Sequence, residues 1–145
     1  MLSTFTGDFE DPIKAQQAAQ AMIEAGADAL TGNLNAGWLG VFKAAQDNDN
    51  VPVVTEWLDN RSLAPDVIAS SIQKSQANFV VEVVKAVADG SFAGKHYQFS
   101  ITPDWGVVMT DTDLLPDDLH QEVTAIQQKI LSGEIQPENI GDCPG

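Results

Sequence analysis

Basic residues are scarce in this chain. Seven Lys and Arg stand against 21 Asp and Glu in 145 residues, for a formal net charge of −14. Neutralising phosphates takes a basic stripe, so nucleic acid is disfavoured as a partner, and anionic membrane surfaces with it. Cys143 is the lone cysteine, which removes an internal disulfide and any cysteine-held metal cluster. His96 and His120 are the two histidines, and neither sits in a catalytic or metal-binding motif. No apolar run approaches the ~20 residues that span a bilayer. The sequence contains no G-x-S-x-G, Walker A or H-E-x-x-H, and Gly32, Gly37 and Gly40 miss the G-x-G-x-x-G spacing of a dinucleotide site. Met1-Leu2-Ser3 brings neither a basic n-region nor an apolar h-region, so export of the chain as written by the general secretory route is not expected.

What is present is a hydrophobic fraction of 43%, enough for one folded α/β domain with a core. Leu2 to Thr6 reads as a strand. Asp11 is placed to cap a helix with Pro12 at its first position, where a missing N–H costs nothing. Ala15, Ala18, Ala19 and Met22 then form one small-residue face, and Gly26 sits where the helix should stop. Asp28 to Thr31 reads as a second strand and Trp38 to Gln46 as a second helix. Val51 to Glu56 and Val67 to Ile72 are further strands. A helix from about Ser75 to Ala88 carries Phe79, Val80, Val83, Val84 and Val87 on one face. Beyond Gly94, Tyr97 to Ile101 and Gly106 to Thr110 read as returning strands. Pro116 to Ser132 reads as a final helix with Leu119, Val123, Ile126 and Ile130 inward, followed by an irregular tail. The alternation through Ala88 predicts parallel βαβ units: a mostly parallel sheet with helices on both faces.

Several blocks resemble the basic membrane protein family, the solute-binding proteins of ABC transporters, many of which carry nucleosides. They are the Gly7-to-Pro12 loop with its Ala-rich helix and Gly26-Ala27-Asp28; Gly37-Trp38-Leu39-Gly40-Val41-Phe42-Lys43-Ala44-Ala45; Leu63-Ala64-Pro65 with Ser71-Ile72-Gln73-Lys74; and Ile130-Leu131-Ser132-Gly133-Glu134-Ile135. The resemblance implies one lobe, the second, of a type I periplasmic-binding-protein-like fold, residues 1–145, in which about 95–145 return and close. It also implies ligand held in a cleft against a first lobe that has no counterpart here. An ABC permease is the implied partner, with no cofactor, metal or catalysis. The implied location is periplasmic or at the cell surface; the lack of a signal peptide in the sequence as written would make it cytoplasmic were this the whole product.

Ligands of open α/β sheets sit beyond the carboxyl ends of strands, so the loops there supply the candidate site. Phe9 could stack on a ring or staple the first helix. Asn33, Asn35 and Trp38 offer amides and an indole for a heterocycle, or form an Asn-rich turn with a packed Trp. In nucleoside-binding family members an aspartate of a G-x-D-x-D setting binds ribose. Aligned through Leu63-Ala64-Pro65, that setting is Thr55-Glu56-Trp57-Leu58-Asp59, so Trp57 stands at the ribose position, Asp59 keeps the second aspartate, and Glu56 supplies a carboxylate given a one-residue slip. Lys74 corresponds to a ligand-facing lysine of the family, and a cation at a helix start is otherwise unfavourable. Asp104, in Asp104-Trp105-Gly106, is placed at the hinge or cleft. Asp111, Asp113, Asp117 and Asp118 lack the calcium-loop spacing and read as a turn and an acidic helix start. Asn33, Trp38, Trp57 and Lys74 are expected to share one polar face. The expected function is binding of a small polar, ring-bearing, nucleoside-like molecule for ABC import; the alternative is a cytosolic ligand-sensing or regulatory domain of the same fold.

Overall fold

Asp11 sets the first element. In the computed structural model, which describes residues 1–74, 76–94, 108–109 and 113–135, its carboxylate accepts the backbone N–H groups of Ile13 (2.9 Å) and Lys14 (3.1 Å). Helix α1 (Pro12–Glu24) follows, as the capping residue and Pro12 predict. It ends in a double closure: Gly26, at φ 96°, donates to the Ile23 carbonyl and Ala27 donates to that of Met22. The chain then forms β1 (Leu30–Thr31), α2 (Trp38–Gln46), β2 (Val53–Trp57), a 3₁₀ turn (Arg61–Leu63), β3 (Ile68–Gln73), α3 (Gln76–Ala88), β4 (Val108–Met109) and α4 (Asp117–Leu131).

The sheet runs β1-β2-β3-β4, with the first three strands parallel and β4 antiparallel to β3. This is the mostly parallel α/β sheet that the alternation predicts. Strand order follows chain order, and between β2 and β3 the crossover is a loop with a 3₁₀ turn in place of a helix. Its core lies where α1 and α2 meet the sheet. Ala15 and Ala19 of α1 pack with Trp38, Val41, Phe42, Ala44 and Ala45 of α2 over Leu30, Val53, Val67 and Ile68. Burying a side chain the size of Ile68 or Val53 stabilises by about 1.5–3 kcal/mol.

Three expectations change. Leu2 to Thr6 forms no strand, and Phe5 is 99% exposed. A strand needs a ladder partner, and here local bonds compete instead: Asp8 N–H meets Thr6 Oγ1, Thr6 Oγ1–H meets the Asp8 carbonyl, and Glu10 N–H meets Asp8 Oδ1. The Phe79-to-Val87 face of α3 does not close over a core, since Phe79, Val80, Val84 and Val87 are exposed. In α4, Val123 and Ile130 are half-buried while Leu119 and Ile126 are exposed. The predicted strand Tyr97–Ile101, Ser75 and the tail from residue 136 lie outside the described residues.

The α1–α2 contact depends on one glycine. A Cβ at Gly40 would stand 1.9 Å from the Pro12 carbonyl oxygen and 2.8 Å from the Gln16 nitrogen. Gly40→Ala should therefore destabilise by roughly 1–3 kcal/mol through overpacking, although alanine alone would favour a helix by up to about 1 kcal/mol. A urea melt decides the sign. A second expectation concerns pH. The Lys14 backbone N–H above all, with the Ile13 N–H and the Lys14 side chain, holds the Asp11 carboxyl below the ordinary carboxylate range. A depressed folded value means the cap stabilises in full above the ordinary value and loses that contribution as acid titrates it. Asp11→Ala should lower Tm at neutral pH, and the gap to wild type should close on acidification below about pH 3.9; a gap independent of pH would exclude the charged cap.

Candidate ligand-binding site

The carboxyl ends of β2 and β3 carry a linked set of polar side chains. Pairing runs Thr55 with Ser71, Glu56 with Ile72 and Trp57 with Gln73. Thr55 and Ser71, both buried, share a 2.7 Å hydroxyl–hydroxyl bond, and Ser71 Oγ also accepts the Asn60 N–H at 3.2 Å. The Asn60 amide donates to the Glu56 carbonyl at 3.3 Å. These bonds pin the loop after β2 back onto the strand ends, so the side chains it presents are held in place.

Trp57 ends β2 in the left-handed region, at φ 75°. A bulky residue there is strained by about 1–2 kcal/mol. Its carbonyl accepts the Lys74 N–H at 3.2 Å, and the Lys74 ammonium lies 4.5 Å from its ring centroid. The same ammonium pairs with Glu56 Oε2 at 3.0 Å. Strict alternation would turn Trp57 to the face opposite Glu56; the left-handed turn sets its indole against the cation that Glu56 also holds. The Lys74 side chain is 40% exposed and that of Glu56 13%. Asp59 is bound by Arg61, whose Nε and Nη2 donate to Oδ1 (2.8 Å) and Oδ2 (2.6 Å). That side-chain contact, with the Arg61 N–H, holds the Asp59 carboxyl below the ordinary range.

A second group forms around the loop after β1. The Phe9 carbonyl accepts the N–H groups of Asn35 (3.1 Å) and Gly37 (3.0 Å), and a Cβ at Gly37 would stand 2.9 Å from that oxygen. Asn35 Nδ2 donates to Glu10 Oε1, so the amide secures the loop. Phe9 and Asn33 line an open, mainly apolar cavity of about 560 Å³ with Phe5, Ala18, Met22 and Leu34. Trp38 belongs to the core: it is 6% exposed and stacks on Phe42 with ring centroids 5.7 Å apart.

The candidate residues thus fall into distinct places. Trp57 and Lys74 touch, with Asp59 in the loop that follows; Phe9 and Asn33 share the other cavity; Trp38 is internal; Asp104 lies outside the described residues. Trp38, 6% exposed, does not join the face expected for Asn33, Trp38, Trp57 and Lys74, while the loops after β1, β2 and β3 that carry the other three leave the parallel strands at the same, carboxyl, end. Glu56 and Lys74 each stand out in the sequence, but their pairing does not. No spacing in the sequence gives it, since it depends on the register that pairs Glu56 with Ile72, two residues before Lys74.

Residues 2–140 match the family model described as Bmp, ABC transporter substrate-binding protein PnrA-like. The chain belongs to this family. A purine-binding protein of Brucella abortus (strain 2308) is 24% identical over 127 residues, covering 88% of this chain and 35% of that protein. Among solved structures, a solute-binding protein of an ABC transporter system from Aeropyrum pernix K1 is 20% identical at TM-score 0.72, covering 94% of this chain and 48% of that one. A transcriptional activator of the comK gene from Bacillus halodurans is 16% identical, also at TM-score 0.72, covering 91% and 46%. The likeness to these structures is one of fold. The chain spans about a third of the curated relative and a little under half of each solved one.

The backbone at Trp57 yields a test with a sign. In an ordinary strand, glycine is worse than alanine by roughly 0.5–1 kcal/mol. At φ 75° the order should reverse, with Trp57→Gly the more stable of the two by about 1 kcal/mol. Parallel urea melts of the two variants measure it; alanine coming out ahead would remove the strained turn.

Proposed function

We propose that the chain is the second, ligand-contacting lobe of a solute-binding protein serving an ABC-type importer, and that it binds a small, polar, ring-bearing molecule without chemical turnover. Family membership over residues 2–140 carries the reading. The strand-end group of Glu56, Trp57 and Lys74, in the position where open α/β sheets hold ligands, supports it. On this reading its partners are a first lobe and a permease, and its place is the periplasm or the cell surface.

Trp57 bears on which ring. At the position where the family's nucleoside binders have a ribose-binding aspartate, an indole donates once and accepts nothing. Asp59 is already committed to Arg61. Ribose hydroxyls would lose acceptors here, at a cost of about 1–3 kcal/mol for each left unpaired. The ligand on this reading is nucleoside-like in its ring but other than an ordinary purine nucleoside, and a free base fits better. That the Brucella abortus relative is a purine-binding protein is in keeping with this. A regulatory role is the second reading, favoured by the fold shared with a transcriptional activator; an acidic chain of this charge would then sense ligand and leave DNA contact to another domain.

One lobe covers one side of a ligand, and small-molecule sites normally enclose most of it. Calorimetry of the 145-residue chain against purine bases, nucleosides, sugars and amino acids should give binding of millimolar strength, with adenosine no tighter than adenine. Submicromolar affinity would overturn the half-site reading, and preferred binding of adenosine, inosine or guanosine, unchanged in Trp57→Ala, would overturn the role of Trp57.

A further inference from the structure

We propose that α4 is a self-association surface, on which a second copy of this chain docks by its own α4, antiparallel, about a two-fold axis. The inference is independent of the ligand site. It starts from the spacing of four apolar residues. Leu119, Val123, Ile126 and Ile130 recur at intervals of four, three and four, the spacing that keeps one apolar seam of a helix turned towards another helix. The seam runs along nearly all of α4, a helix of 15 residues none of which is buried. Leu119 is 42% exposed and Ile126 44%, while Val123 and Ile130 are half-buried.

Charge decides the occupant. On one flank of the seam stand His120 and Gln127, both half-buried; on the other stand Glu122 and Lys129, both exposed. Glu122 directly precedes Val123 and Lys129 directly precedes Ile130, so the two hold equivalent places seven residues apart with opposite sign. With the two-fold axis between Val123 and Ile126, an antiparallel copy sets Val123 against the partner's Ile126 and Leu119 against the partner's Ile130. The same register brings Glu122 beside the partner's Lys129, and Lys129 beside the partner's Glu122. Flanking charges of this kind fix partner choice and orientation, and a face that complements itself is what a two-fold interface needs. A parallel copy would set Glu122 beside the partner's uncharged Gln127 and Lys129 beside a residue past the helix end.

The overall charge opposes this contact, since each copy carries −14. At about 0.15 M salt that repulsion is screened beyond about 8 Å, whereas Glu122 and Lys129 would meet at contact. Within one chain Lys129 pairs with Glu134 at 3.5 Å, both exposed, and exchanging such a surface pair costs little. A helix of this length is about 22 Å long. The interface is therefore small, and the dimer is weak and concentration-dependent.

The test is sedimentation equilibrium of the full chain at physiological salt, from micromolar to millimolar concentration, with Tm of the dilute protein as the control for folding. Wild type should pass from monomer to dimer over this range. Glu122→Lys and Lys129→Glu should each weaken dimerisation by about tenfold at unchanged dilute Tm, because each turns two attractive contacts into two repulsive ones. The double swap, Glu122→Lys with Lys129→Glu, should return it to within about threefold of wild type. A wild-type chain that stays monomeric at millimolar concentration would overturn the inference and leave α4 to a different partner. A dimer that the single swaps leave intact, or that the double swap fails to restore, would overturn the antiparallel α4 pairing.

Discussion

The contact between α1 and α2 constrains everything else in the described structure. At Gly40 the helices approach so closely that the Pro12 carbonyl occupies the place of a side chain. That approach is possible because Ala15 and Ala19 present small faces and because Asp11 fixes where α1 begins. It draws the Phe9 carbonyl over the N–H groups of Asn35 and Gly37, and it sets Trp38 and Phe42 down on Val53 and Ile68 as core. The loop after β1 is thus a structural clamp first. Any ligand contact made there is limited to what Asn33 and Phe9 leave uncovered.

Polarity is distributed unequally along the sheet. Near the start of β2 and β3 the interior is Val53, Val67 and Ile68; toward their ends it becomes Thr55, Ser70 and Ser71, all buried. Substituting hydroxyls for methyls weakens hydrophobic stabilisation unless each hydroxyl is bonded. The Thr55–Ser71 bond and its link to Asn60 meet that requirement for Thr55 and Ser71 and bind the following loop. The result is a polar rim at the end of the sheet, bonded to the loop that follows Trp57.

What could be read from the residues alone was local and periodic. Asp11-Pro12, the Ala15–Ala19 spacing and Gly26 specify α1 through short-range bonds, and α2, the sheet's parallel sense and the position of β3 follow from alternation. Long-range pairing was less legible. Leu2 to Thr6 has strand composition but competes with Asx-type bonds around Thr6 and Asp8, and composition cannot say which wins. Trp38 illustrates the same limit: an indole at a helix start looks alike in sequence whether it faces a cleft or a core. Lys74 was legible as unusual, since a cation at the start of a helix is unfavourable; that its charge is shared between Glu56 and Trp57 depends on a strand pairing that sequence spacing alone does not give.

The unfavourable features of the described structure converge on a few residues. Trp57 holds a left-handed backbone, Lys74 lies beside the start of a helix, and Glu56 leaves a buried oxygen without a donor. The left-handed backbone and the orphaned oxygen lower stability, and the position of Lys74 is offset by its pairing with Glu56 and its contact with the Trp57 ring. They are adjacent because β2 and β3 pair in parallel, so the ends of both strands emerge side by side. Strain, a cation beside a helix start and an unmet hydrogen bond concentrate at one strand end, beside a well-capped and well-packed pair of helices, and on the function proposed above they are stability traded for recognition.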